Sequence, residues 1–237
     1  IKCDLLNSLT DNFFCKMKKL KYIFLLAGAL SLASCESWLD EDPQYTINTK
    51  TQFSTVENAR QALMGCYGYM SADNAYGQAW QEVTFGYCGF GWSQTNGSST
   101  DLLVSRDGGI DETINTMAWR GMYKVIGETN AFIANIADSP LESADKLPME
   151  AAARFLRALA YYNLAVTYGD VPLKTTPSAH DGVAVPRSPK NEVFELVRTD
   201  WEFAYENLPE KDDDGFATKW AAKAYLGKLY HTLGCQG

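Results

Sequence analysis

Residues 150–173 read EAAARFLRALAYYNLAVTYGDVPL. Within this stretch Phe155, Leu159, Tyr162 and Val166 recur every three to four positions, the spacing that gathers apolar side chains on one face of an α-helix. Pro148 stands just ahead of it and fits the opening of a helix, where a missing N–H is tolerated. Gly169 follows the last stripe residue and fits a helix C-terminus, with Gly169-Asp170-Val171-Pro172 as the turn that leads away. A long helix with a tyrosine-bearing apolar face is thus expected at the centre of the chain.

The same period recurs on both sides. Upstream, Trp119, Met122, Tyr123, Ile126, Ile133 and Ile136 trace a helix that starts after Asp111 and is ended by Pro140. Earlier still, Ser54-Thr55-Val56-Glu57 reads as a capping box before Ala59, Ala62, Leu63, Cys66 and Tyr67, which predicts a helix over 54–70. Downstream, Ser188 as N-cap and Pro189 at the first helical position open a stripe of Phe194, Val197, Trp201, Ala204 and Leu208, stopped by Pro209. A last helix over 218–233 carries Ala221, Ala224 and Gly227 as a small-residue face and ends at Gly234. No strand alternation separates these segments. The expected fold class is all-α: tetratricopeptide-like helical hairpins without a clean 34-residue repeat, or a single bundle of four or five helices.

Residues 71–110 break the period. Seven glycines and a Ser/Thr/Asn-rich stretch at 93–100 predict loop with short extended pieces. Tyr76, Trp80, Phe85, Tyr87, Phe90 and Trp92 place six aromatics in 17 residues, where a 13% aromatic content predicts two. Gln94, Asn96, Ser98, Thr100 and Asp101 follow. Aromatic faces stack on the C–H faces of sugar rings, and short amides and carboxylates bind hydroxyls, so this insert is the candidate ligand site. Trp92, Asn96 and Asp101 lead, with Tyr87, Gln94 and Trp80 beside them; the competing reading buries these aromatics as core. Tyr161, Tyr162 and Trp201 sit on helical stripes and are expected in the core. Arg154 and Arg157 are expected to pair with Glu150 on an exposed face. Asp212-Asp213-Asp214 lacks the alternating oxygens of a calcium loop and reads as a solvated turn.

The N-terminal part reads differently. Residues 1–16 show no period and are read as upstream translation. Met17 opens a basic head (Lys18, Lys19, Lys21), an apolar run from Tyr22 to Leu32, and small residues up to Cys35, the pattern of an export signal over 17–34. The run is shorter than the roughly 20 residues a membrane span needs. Leu32-Ala33-Ser34-Cys35 resembles a lipobox, which would make Cys35 the acylated N-terminus of the exported protein. Residues 35–53 then form an acidic tether, and 54–237 the helical domain.

Composition narrows the function. The chain has 237 residues, a formal charge of −8 and only two histidines. Beyond residue 34 it keeps 16 basic and 27 acidic side chains, or −11, which opposes nucleic acid and anionic lipid as partners. No CxxC pair, P-loop or Ser/His/Asp order stands out, and no metal site or cofactor is expected. Cys66, Cys88 and Cys235 allow one disulfide or three free thiols.

Five segments in order are similar to the SusD/RagB family of outer-membrane lipoproteins. They are CESWLD at 35–40 followed by Pro43, WRGMYKVIGETN at 119–130, the 150–173 stretch, VPRSPKNEVFELVRTDWEFAYENLP at 185–209, and the helix from Trp220 to Gly234. The resemblance implies a non-catalytic lipoprotein of tetratricopeptide-like hairpins, exposed on the outer membrane of Bacteroidota. It also implies a lid over a TonB-dependent, SusC-like transporter, to which it delivers oligosaccharides or other nutrients. Family members are longer, so this chain compares with their N-terminal part. The family's sugar-contacting loops lie in a region comparable to 92–101. A lipid-anchored helical-repeat scaffold for proteins is the alternative.

Overall fold

A computed structural model describes residues 49–88, 113–177 and 185–234, all within one compact unit, Ile47–Gly237. The export signal, Cys35 and most of the tether lie outside the described residues. The chain forms α1 (Thr49–Gln52), α2 (Val56–Ser71), a five-residue π-turn (Asp73–Gly77), α3 (Ala79–Cys88), α4 (Thr113–Ala137) and α5 (Ser143–Tyr168). Two short strands, β1 (Val171–Pro172) and β2 (Arg187–Ser188), precede α6 (Lys190–Asn207) and α7 (Lys219–Gly234). The fold is all-α, and α4 to α7 each pack on the helix before them as tetratricopeptide-like hairpins. Helix α2 lies across α4 and α5. Among the described residues no helix is long and apolar enough to cross a membrane.

Local chemistry explains where the helices start. The cap of α2 is Thr55, one residue later than the capping-box reading: its hydroxyl accepts the Asn58 N–H at 3.2 Å, while the Ser54 hydroxyl donates back to the Thr51 carbonyl. Helix α5 begins at Ser143, before Pro148, because the Glu142 carbonyl accepts both the Asp145 and Lys146 N–H groups and closes a turn upstream of the proline. Its end is as expected. Gly169 adopts φ +74°, which a side chain would resist, and donates to the Ala165 carbonyl at 3.1 Å.

Ser188 does not cap α6. It pairs with Val171 in the β1–β2 ladder, which holds it extended and leaves Pro189 as the N-cap. Pairing also brings up Asp170, whose carboxylate accepts the Lys190 N–H at 2.8 Å and satisfies the helix start from a distance.

The core lies between α4, α5 and α6. Tyr161, Tyr162 and Trp201 are buried there, as their stripes predict. Arg157 corrects the reading of an exposed pair with Glu150. Glu150 takes Arg154 alone, whereas the Arg157 guanidinium is buried and makes two bonds of 2.8 Å to the buried Asp200 carboxylate. Its remaining nitrogen donates to Asn130 Oδ1 at 2.9 Å, and Asn130 Nδ2 donates to the carbonyls of Lys174 and Thr176. Tyr161 closes the same clasp: its hydroxyl donates to the Lys174 carbonyl and accepts the Lys174 N–H. A fork-to-carboxylate pair, with each guanidinium nitrogen making a hydrogen bond, is what makes a buried charge tolerable.

Candidate functional site

Two of the expected site's ends are fixed by the scaffold. The loop expectation for 71–110 fails over 73–88, where the chain forms the π-turn and then α3. The reason is packing: Ala75, Ala79, Trp80 and Val83 are all buried, so the segment satisfies its backbone internally while docking on α4. Gly121 makes that docking possible. A Cβ built there would lie 1.9 Å from the Asn74 carbonyl oxygen, so only glycine lets the π-turn backbone rest on α4.

The aromatics divide. Trp80 is 7% exposed and faces Tyr76 at a ring separation of 6.4 Å, so the one described side chain among the expected site residues belongs to the core. Tyr76 is tied down further, its hydroxyl accepting the Asn163 amide at 2.7 Å. Burial pushes its ionisation up to about 12, a neutral structural phenol. Phe85, in contrast, is 61% exposed on the outer face of α3. The backbone of Tyr87 belongs to the last turn of α3. Its side chain, and Trp92, Gln94, Asn96 and Asp101, lie outside the described residues. Helix α3 therefore leads into that segment on a foundation of half-buried Tyr76 and buried Trp80, and α4 receives the chain beyond it.

The loop 209–218 corrects a second expectation. Asp212 and Asp214 are not merely solvated: both hold Arg60 of α2, whose guanidinium also lies over the Phe216 ring at 4.7 Å. Burial opposes ionisation of Asp212, but the Arg60 bond and the N–H groups of Asp214 and Phe216 outweigh it and keep its carboxyl below the usual range. Tyr67 reinforces the staple by accepting the Ala217 N–H at 2.9 Å.

A cleft that no motif announced lies between α1–α2 and α4, with a volume of about 230 Å³. Gln52, Phe53, Cys66, Glu128, Phe132 and Asn135 line it, drawn from three separate segments, so nothing in the linear sequence links them. Phe53 and Phe132 meet edge to face at 5.4 Å. Cys66 and Cys88 are free thiols. Burial, reinforced by Glu128, pushes Cys66 up to about 12 and keeps it protonated.

Comparison with known proteins agrees with the hairpin fold. The sequence model described as "Starch-binding associating with outer membrane" matches residues 37–231. The SusD-like protein P25 of Formosa agariphila is 26% identical over 223 residues, which cover 88% of this chain and 42% of that protein. A solved laminarin-binding SusD-like protein superimposes with a TM-score of 0.65 at 26% identity, over 76% of this chain and 41% of the other. A structure solved with a xylogluco-oligosaccharide gives a TM-score of 0.61 at 26% identity, over 71% and 34%. The chain thus spans about two fifths of the relative's length.

Proposed function

The chain belongs to the SusD-like family, and on that premise we propose that it is a glycan-binding lipoprotein of the outer-membrane surface that hands oligosaccharides to a TonB-dependent, SusC-like transporter. The kinship with the laminarin-binding structure carries this reading. Ligand is held by stacking on Trp92 and Tyr87, with Gln94, Asn96 and Asp101 as hydroxyl partners. Trp80 moves from the platform to its foundation. Cys35 carries the acyl chains that tether the domain, each buried CH₂ contributing about 0.8 kcal/mol. The protein makes and breaks no bond. It captures ligand and releases it to the barrel.

Laminari-oligosaccharide titration of the parent and of Trp92→Ala, read by calorimetry, tests the platform. Affinity falls about tenfold or more in the variant while its thermal midpoint stays within a degree or two. Equal affinity removes Trp92 from the site. Cys35→Ala releases the protein from the outer-membrane fraction if the anchor is as proposed.

A further inference from the structure

We propose that the cleft between α1–α2 and α4 is a second binding site, one that takes a single neutral, hydroxyl-rich ring. The hydrogen-bond inventory of its walls decides the ligand class. Gln52 spends its Nε2 on the Asn58 carbonyl at 2.8 Å, and Asn135 spends its Nδ2 on the Ala131 carbonyl at 2.8 Å. Glu128 gives Oε1 to Lys124 at 2.6 Å. The side-chain oxygens with no partner among the described residues are therefore Gln52 Oε1, Glu128 Oε2 and Asn135 Oδ1, three open acceptors beside the one N–H that each amide still has to offer. A cleft rich in unused acceptors is complementary to a ligand rich in donors.

Charge and size narrow the choice. Lys124 already balances the Glu128 charge, which leaves it little pull on an ammonium ligand, whereas a neutral hydroxyl can take Oε2 with that ion pair in place. The Phe53 and Phe132 rings and Ala62 supply an apolar wall for C–H faces. A volume of about 230 Å³ is below the range of about 300–1,000 Å³ typical of drug-sized ligands, which fits one ring and not a chain. A ring with few contacts binds with a dissociation constant of the order of 1 mM. None of the residues involved belongs to the 76–101 segment, so this site stands whether or not the aromatic platform does.

The test is titration of the whole protein with methyl β-D-glucopyranoside, followed by the side-chain amide signals of Gln52 and Asn135 in ¹H–¹⁵N spectra. The per-O-methylated glucoside, which has the same ring and no donors, is the control. Saturable shifts at both amides with the glucoside, and none with the control, are expected. Ala131→Leu, which fills the cleft, weakens binding roughly tenfold. Trp92→Ala leaves these shifts unchanged. Signal dispersion reports whether each variant is folded, and Asn135→Leu fills the cleft from the next turn should Ala131→Leu unfold. No saturable shift, equal response to both glucosides, undiminished binding in a folded filled variant, or loss of the shifts in Trp92→Ala each overturns the proposal.

Discussion

Replacing Gly121 by alanine tests whether the foundation of the candidate site is built as described. The new Cβ would stand 1.9 Å from the Asn74 oxygen and 2.4 Å from its carbonyl carbon, whereas ordinary contacts begin near 3.4 Å. The π-turn must retreat by about 1.5 Å, and since the obstacle is backbone, no rotamer change relieves it. Overpacking of this kind costs about 1–3 kcal/mol, here at or above the upper end. Alanine returns about 1 kcal/mol of helix propensity, leaving a net loss of about 2 kcal/mol. With a urea dependence of about 2 kcal/mol per molar, the unfolding midpoint falls by about 1 M. Retreat also strains the Tyr76–Asn163 bond and opens the packing around Trp80, so acrylamide quenching of the native state rises. Gly68→Ala is the matched control: it sits exposed in α2 with nothing within 4 Å of its Cβ, and it gains up to about 1 kcal/mol. One substitution type thus gives opposite signs at two positions. A Gly121→Ala midpoint equal to or above the parent's would refute the close approach.

Asp200→Ala strands the Arg157 guanidinium in the core and lowers stability by about 3–5 kcal/mol in urea titrations, whereas Arg198→Ala, on the surface of the same helix, leaves the urea midpoint close to the parent's. Acid exposes the Arg60 staple. Because Asp212 titrates below its unfolded value, its contribution is complete above about pH 4 and is lost as pH falls through the lower, folded value. Asp212→Asn removes that part of the acid slope, measured as the thermal midpoint between pH 5 and 2. Thiol labelling at pH 8 followed by peptide mapping modifies Cys88 in the native protein and Cys66 only after unfolding, since burial keeps the latter protonated.

The helices were legible where one face is buried, because burial imposes the 3.6-residue period that Phe155, Leu159 and Tyr162 display. What escaped the sequence depended on partners far along the chain. Nothing adjacent to Arg157 announces Asp200, 43 positions away, and an arginine three residues after another on a helix reads by default as surface. Asp170 took the capping role from Ser188 through a strand pairing of two residues, too short to show alternation. The segment 73–88 looked irregular because Gly77 and Gly86 interrupt it, yet Ala79, Trp80 and Val83 supply enough buried surface to hold a helix. For the candidate site, residue types indicated sugar chemistry, but type does not reveal which side of a helix faces out. Trp80 went inward and Phe85 outward. The family resemblance was readable for a related reason. Trp119, Tyr123, Asn130, Arg157, Tyr161 and Asp200 all belong to the clasp or the ring cluster that grips residues 172–176, through the Tyr123 bond to the Pro172 carbonyl and the Asn130 and Tyr161 bonds beyond it.

The staple between α2 and the 209–218 loop also sets a schedule. Arg60 and Tyr67 bond to residues 150 to 154 positions later in the chain. At ribosomal speeds of about 5–20 residues per second, these partners emerge about 8–30 s after α2 does. Through that interval the outer side of α2, with Tyr67 and the stem of Arg60, has nothing to close over it. Such long-range closure is the slow step of a topology otherwise built from neighbours. A nascent chain would therefore hold a set of early hairpins with one open seam, and the seam shuts only when Phe216 and Ala217 arrive. That makes the interval before Phe216 and Ala217 the one in which this seam gives a chaperone most to protect.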